Sequence, residues 1–133
     1  MIFAVTGGRD VVIDEALADR FWWALCTRAS LHLTHTLRHG AARGVDTWVA
    51  DAVAARFSHR WVAIEPWPAR WDFDGKAAGP IRNRAMLAGS WTTYDGKPRH
   101  QVDVLLAFPG GRGTADCVRA ARDFGIPVVE VAP

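Results

Sequence analysis

A glycine-rich segment late in the chain has the residue types of an anion-binding loop. An apolar run that ends at Phe108 is followed by Pro109, Gly110, Gly111, Arg112, Gly113 and Thr114. Glycines let backbone N–H groups approach a ligand closely, and the helix predicted next would add unpaired N–H groups and its positive dipole end. The pattern therefore predicts a phosphate loop, and an ordinary strand-to-helix turn is the alternative. It lacks the lysine of a Walker loop and the dinucleotide fingerprint G-x-G-x-x-G.

A second candidate lies where Gly79 and Pro80 predict the start of a helix, because proline is common at the first helical position. Arg82, Asn83 and Arg84 then fall near the first turn, where acids are normally preferred. Two guanidinium groups at that place are explained if they share a bound phosphate, although a pair of solvated arginines is the alternative.

Lys76 stands just upstream of that helix. It could close over the same phosphate, and an ordinary exposed lysine is the alternative. Arg9 is another predicted contact, since it follows the first apolar run and the glycines Gly7 and Gly8. Those two glycines are either part of the ligand site or needed only for the turn.

His39 and Gly40 end the second apolar run and are predicted to lie at the site. Asp46, near the start of the next helix, would contact a ribose hydroxyl, complement the helix dipole or pair with Arg43. His32, His35 and His39 are spaced for one face of a helix, but the segment is predicted to be a strand, where these offsets fall on different faces. No metal site is therefore predicted.

Short apolar runs alternate with helical patterns along the chain. The predicted strands are residues 2–5, 33–38, 61–64, 102–108 and 128–131, and helices are predicted between successive strands. Asp14 is the predicted N-cap of the first helix. This order predicts an α/β fold, a three-layer Rossmann-like sandwich with a mostly parallel five-stranded sheet, in which ligands bind beyond the carboxyl ends of the strands.

Residues 65–78 form the longest stretch predicted to be irregular, because Pro66, Pro68 and Gly75 interrupt it. Long loops in compact domains are often binding loops or lids. Trp67 and Trp71 belong to this stretch and are the candidates for stacking on a base.

Composition limits the class of protein. The 133 residues are 50% hydrophobic and 23% charged, with a formal net charge of +2, which predicts one globular domain over residues 1–133 and no polybasic arm. No apolar run reaches the roughly 18 residues of a membrane span, and no signal peptide is recognised, so a cytoplasmic protein is expected. Cys26 and Cys117 match no metal or disulfide pattern and are predicted to be core residues.

Four segments together resemble the SLOG superfamily, in particular its small stand-alone bacterial and phage domains, the YspA-like group. They are VTGGRD at 5–10, HGAARGVDTWVADAVA at 39–54, GKAAGPIRNRAML at 75–87 and FPGGRGTADCVRAARDFGIPV at 108–128. The superfamily includes the LOG-type phosphoribohydrolases, which activate cytokinins, and DNA-processing protein A. The resemblance implies a Rossmann-like domain that binds a nucleotide or nucleotide-derived ligand at the PGG-x-GT loop and often forms a homo-oligomer.

One departure bears on activity. The phosphoribohydrolases carry a glutamate at the position of Cys117, and Asp116 would point about 100° away around the helix. Because glycosidic cleavage needs a positioned carboxylate, the sequence favours a sensor or sequestering domain with no assigned catalytic residue and no cofactor. A hydrolase would need another acid, and the candidates are Asp10, Asp46, Asp72 and Asp74. Binding of single-stranded nucleic acid on tryptophans is a further alternative, which the small net charge disfavours.

Overall fold

The computed structural model describes residues 1–30, 33–91 and 99–132. It contains a five-stranded sheet of β1 (Ile2–Thr6), β2 (His35–His39), β3 (Val62–Pro66), β4 (Val104–Ala107) and β5 (Val128–Glu130). The strands are all parallel and lie in the order β3-β2-β1-β4-β5. This confirms the predicted Rossmann-like α/β fold, with strand boundaries that differ from the predicted ones by at most two residues.

Helices cover both faces of the sheet. They are α1 (Glu15–Cys26), α2 (Val45–Arg56), the short α3 (Trp71–Asp74), α4 (Ala78–Ala88) and α5 (Arg112–Asp123). Buried residues of α1 and α2 form one core with the sheet, whereas those of α4 and α5 form a second core on the opposite face. Of the helices in the described part of the chain, none combines the length and apolar character that crossing a membrane requires.

The strand order reverses direction at β1. The chain moves outward from β1 to β2 and β3, then returns to place β4 on the other side of β1. The carboxyl ends of β1 and β4 therefore form the switch point at which open parallel sheets bind ligands. Backbone bonds join these ends, since Gly8 N donates to Pro109 O at 2.9 Å and Phe108 N donates to Thr6 O at 2.9 Å.

The start of α1 confirms the predicted cap. Asp14 Oδ1 accepts a hydrogen bond from Leu17 N at 2.8 Å, which satisfies one of the unpaired donors of the first turn. The prediction that Cys26 is a core residue is wrong, because the buried stripe of α1 ends at Leu25 and Cys26 is exposed. Cys117 is buried, as predicted.

The prediction of an irregular stretch from 65 to 78 is also wrong. Helix α3 and a 3-10 turn at Gly75–Ala77 occupy much of it, and Gly75 has the positive φ of 61° that separates them. Helix α4 begins at Ala78, so Pro80 lies inside its first turn, where a missing N–H costs nothing. Arg82 is consequently the fifth helical residue, and the predicted conflict of Arg82 and Arg84 with the first turn does not arise.

Candidate functional site

A cavity of about 490 Å³ lies at the switch point, within the size range of small-molecule pockets. It brings together residues from all four segments that the sequence singled out. The predicted site residues that line it are Gly7, Gly8, Arg9, Gly40, Asp46, Trp71, Arg82, Asn83, Gly111, Arg112, Gly113 and Thr114.

Six other candidate residues do not line this cavity: His39, Trp67, Lys76, Arg84, Pro109 and Gly110. Lys76 is exposed in the 3-10 turn, and Arg84 is directed to Asp116, with 3.4 Å between Nη1 and Oδ1. Pro109 and Gly110 lie at the junction of β1 and β4, where they join the two strand ends.

The glycines of the site divide into two groups. A Cβ on Gly7 would stand 2.5 Å from the Val45 side chain, and one on Gly110 would overlap Thr114 and stand 2.8 Å from Gly8 N. Packing alone therefore requires glycine at these two positions. Around Gly111 and Gly113, by contrast, a Cβ would meet nothing within 4 Å.

Arg82 ties α4 to the ends of β2 and β3. Its Nη1 donates to Gly40 O and, at 3.0 Å, to Trp67 O, while its Nε donates to Asn83 Oδ1 at 3.1 Å. A Cβ at position 40 would stand 2.5 Å from the guanidinium, so a larger residue there would displace the Arg82 side chain. Burial lowers the pKa of Arg82, and the nearby Asp46 carboxylate opposes that shift. The guanidinium is thus held in place before any ligand arrives.

Asp46 shapes the loop between β2 and α2. Its Oδ2 accepts from Gly40 N at 3.0 Å and from Ala42 N at 3.3 Å. Burial raises the pKa of Asp46, and these two backbone bonds and Arg82 act against the increase. Of the predicted roles, pairing with Arg43 is not found, because Arg43 pairs with Asp10 at 3.1 Å.

His39 also supports the loop between β2 and α2. Its Nδ1 accepts a hydrogen bond from Ala41 N at 3.0 Å, which holds Ala41 at a φ of 57°. That conformation is uncommon for a residue other than glycine. Burial lowers the pKa of His39, and the charge of Arg82 lowers it further. His39 is therefore a neutral acceptor that shapes the wall of the site.

Asn83 connects α4 to the start of α5. Its Nδ2 donates to Gly113 O at 3.3 Å and to Asp116 Oδ2 at 3.1 Å. From the sequence alone, Asp116 is expected only as a poor substitute for the missing acid, and its contact with Asn83 is not predicted. Asp116 lies two residues after Thr114 on α5. Only the fold shows that it faces Asn83 on α4.

Cys117 is fully buried beside β1. Burial raises the pKa of its thiol to about 12, and a hydrogen bond with the Thr6 side chain opposes the rise. The thiol is therefore protonated near neutral pH and is not an activated nucleophile.

The two tryptophans proposed to stack on a base occupy different environments. Trp71 is 51% exposed, and its ring lies over Gly79, where a Cβ would be 3.6 Å away. Trp67 is only 3% exposed, donates from Nε1 to Glu65 Oε1 at 2.7 Å and stacks on Trp91. Trp67 is therefore a core residue in this structure, and Trp71 alone of the pair reaches the cavity.

No cluster of three or more His, Cys, Asp or Glu residues that could hold a metal ion is found within residues 1–30, 33–91 and 99–132. His32 lies outside the described residues. His35 is buried, contacts the ring of Phe3, and its Nε2 lies 2.8 Å from Ser30 O. The structure thus gives His35 a place in the core.

The parallel sheet, the helices on both of its faces and the cavity at its switch point define a Rossmann-like α/β protein. The chain is 39% identical over 95 residues to the Gene 61 protein of Mycobacterium phage D29, a match that covers 68% of this chain and 66% of the phage protein, just under two thirds of its length. No family model matches the chain.

Among solved structures, the X-ray structure of TM1055, Northeast Structural Genomics Consortium target VT76, aligns with 96% of this chain and 71% of that chain, with a TM-score of 0.51 and 16% identity. At that identity the similarity shows the fold.

Proposed function

We propose that the protein binds a nucleotide or nucleotide-derived ligand in the switch-point cavity and acts as a sensor or sequestering domain. The ligand's phosphate would lie at the rim formed by Gly111, Arg112, Gly113 and Thr114. Backbone N–H groups at the beginning of α5 would donate to the phosphate oxygens there.

The observation that carries this proposal is the open glycine at position 113. Gly113 is the second residue of α5, and alanine in place of glycine at a compatible backbone position stabilises a protein by about 0.4–1 kcal/mol, because it restricts the unfolded chain. Nothing in the protein fills the space where its Cβ would be. A residue that is locally unfavourable and has no packing role is expected where a ligand needs the space.

The charges of the cavity support an anionic ligand. Arg9, Arg82 and Arg112 line it, and within the described residues neither Arg9 nor Arg112 has an acidic partner within 4.0 Å. Guanidinium groups fit phosphate oxygens in a bidentate manner. Trp71, which is half exposed in the same wall, offers the flat apolar face on which a base would stack.

The acids of the cavity favour binding over glycosidic cleavage. Asp46 is already engaged by two backbone N–H groups, and Asp10 is highly exposed and paired with Arg43. The other two acids considered for a hydrolase, Asp72 and Asp74, do not line the cavity. Among the described residues, the acids that line the cavity are thus Asp10 and Asp46, and the proposal assigns Asp46 to holding the loop between β2 and α2 rather than to proton transfer.

The experiment that tests the proposal measures thermal unfolding of wild type and Gly113→Ala with millimolar nucleoside mono-, di- and triphosphates. At least one nucleotide is expected to raise the Tm of wild type. Without ligand, Gly113→Ala should unfold at the same or a higher temperature, because alanine favours the helix, whereas its shift with nucleotide should be smaller. A packing role for Gly113 would instead lower the Tm without ligand.

A matched pair of variants on α5 serves as the control. Arg112→Ala removes a guanidinium from the cavity, and Arg119→Ala removes one about two turns further along, outside the cavity. Only Arg112→Ala should reduce the shift. The proposal fails if no nucleotide stabilises wild type, or if Gly113→Ala and Arg112→Ala respond to nucleotide as wild type does.

A further inference from the structure

A second lobe adjoins the switch-point cavity on the side of β2 and β3. It measures about 330 Å³ and shares with the larger cavity a wall formed by Arg9, Gly40, Ala42, Trp71 and Arg82. Its far side is formed by Arg43, which follows β2, and by Pro68 and Ala69, which follow β3. The two lobes together therefore extend along the carboxyl edge of the sheet from β4 to β3.

Three arginines line the second lobe. Arg43 lies on its far wall, where its Nη2 pairs with the exposed Asp10 Oδ1 at 3.1 Å, Arg9 and Arg82 lie on the shared wall, and none of the described residues that line the lobe is an acid. The backbone offers few donors here, because the N–H groups of residues 40 and 42 bind Asp46 and that of Ala41 binds His39. A ligand in this lobe would therefore find its hydrogen-bond donors mainly in the guanidinium groups of these three arginines.

We propose that the ligand carries two separated phosphate groups, one at the Gly111–Thr114 rim and one in the second lobe. This inference rests on the proposed function and specifies its ligand class. Adjacent strands lie about 4.8 Å apart, so the ends of β4 and β3, about 14 Å apart across three spacings, mark the outer limits of the two lobes, and two phosphates on either side of the shared wall lie closer together than that, as they do across one ribose. The adjoining phosphates of a nucleoside diphosphate are too close together to occupy both lobes.

Trp71 would contact the central nucleoside of such a ligand. Its side chain belongs to the wall that both lobes share and is half exposed. A nucleoside held against this ring would direct its 5′ and 3′ positions toward opposite lobes. The chemical class is thus a nucleoside bisphosphate, or a short phosphorylated dinucleotide with the same separation of charges.

Isothermal titration calorimetry with the 5′-monophosphates, 5′-diphosphates and 3′,5′-bisphosphates of adenosine and guanosine tests this inference. A 3′,5′-bisphosphate should bind roughly tenfold tighter than the monophosphate and diphosphate of the same base, the contribution of about one charge-assisted hydrogen bond. The diphosphate controls for added charge without separation.

Three arginine variants localise the effect. Arg43→Ala should remove the tenfold advantage of the bisphosphate, since Arg43 lines only the second lobe. Arg112→Ala should weaken all three ligands, and Arg60→Ala, an exposed arginine before β3, should change none.

Equal affinity for all three ligands, or an advantage that survives Arg43→Ala, would overturn the two-phosphate inference and leave the proposed function standing. If none of the nucleotides in this titration or in the wider screen binds wild type, the proposed function falls and the inference falls with it.

Discussion

The two helical layers of this protein are built in different ways. On one face, α1 and α2 pack through aromatic rings, with Phe21 at centroid distances of 4.9 Å from Trp22, 5.7 Å from Trp48 and 5.6 Å from Phe108. On the other face, the buried residues of α5 are small, namely Cys117, Ala120 and Ala121, and polar side chains join α4 to α5 at the carboxyl edge.

This difference indicates that the stability of the fold and the geometry of the site depend on different helical layers. An aromatic layer buries much apolar area but fixes few individual atoms of the cavity. In the α4–α5 layer, where α4 buries Met86 and Leu87 and the buried residues of α5 are small, Asn83 and Arg82 make directional bonds to Gly113 O and Gly40 O, both of which belong to the cavity rim. We therefore expect substitutions in the first layer to change folding and those in the second to change binding.

The largest expected effect is in the aromatic layer. Phe21→Ala should lower the free energy of unfolding by about 3–5 kcal/mol, because a fully buried ring is lost and a cavity remains. Urea unfolding measures this. Nucleotide affinity, measured at a temperature where the variant is folded, should stay within about twofold of wild type. This corresponds to a change of less than about 0.5 kcal/mol in the free energy of binding.

The matched control lies on the same helix. Trp23 is 68% exposed, so Trp23→Ala should change the free energy of unfolding by no more than about 0.5 kcal/mol. If Phe21→Ala weakens nucleotide binding while the protein remains folded, the two layers are not separable in the way described.

The next effect is expected in the polar layer. Asn83→Ala should cost about 1–3 kcal/mol of stability, because it removes the Asn83 donor from both Gly113 O and Asp116 Oδ2. It should also weaken nucleotide binding, since Gly113 belongs to the rim. Urea unfolding and calorimetry on the same sample measure the two quantities.

Arg84→Ala controls for the loss of a partner of Asp116. The Arg84 side chain is 44% exposed and lies 3.4 Å from Asp116, so its removal should cost less than about 1 kcal/mol. Its effect on binding should be small. An equal loss of affinity in both variants would mean that the charge of Asp116, and not the position of Gly113, controls the site.

The strands and the edge of the sheet where ligands bind could be predicted from the sequence, because apolar runs followed by glycine indicate strand ends, whereas the strand order that sets the switch point could not. The segments that meet at the cavity followed from the same rule. Local patterns could not separate Gly110 from Gly111 or Gly113, since the difference depends on Thr114 and Gly8 standing against one glycine and on empty space beside the others.

The burial of individual aromatic residues likewise could not be predicted from the sequence. Trp67 and Trp71 lie four residues apart in a stretch without periodicity, so nothing local distinguished them. Trp67 is buried because Arg38 and Trp91 pack against its ring from distant parts of the chain. Helix α3 was missed because a single turn is too short to show a period.

The smallest expected effect concerns pH and again separates the site from the aromatic layer. The pKa of His39 lies below its ordinary value of 6.5 in the folded protein, mainly because the ring is buried. The unfolded chain therefore binds more protons than the folded one between that lowered pKa and 6.5, and the free energy of unfolding should fall as the pH is lowered through this window. Protonation also replaces the acceptor of the Ala41 N–H by a donor.

His39→Asn places an oxygen acceptor near the former Nδ1 but cannot titrate, so the decrease below pH 6.5 should be smaller in this variant. His59→Asn, at an exposed position, should retain the decrease seen in wild type. Asp46 acts in the opposite direction and at lower pH, because its raised pKa makes the folded protein bind protons more readily than the unfolded chain above 3.8. Urea unfolding at steps below neutral pH measures each slope. Equal slopes for wild type and His39→Asn would show that acid acts elsewhere in the fold and not through the loop that His39 supports.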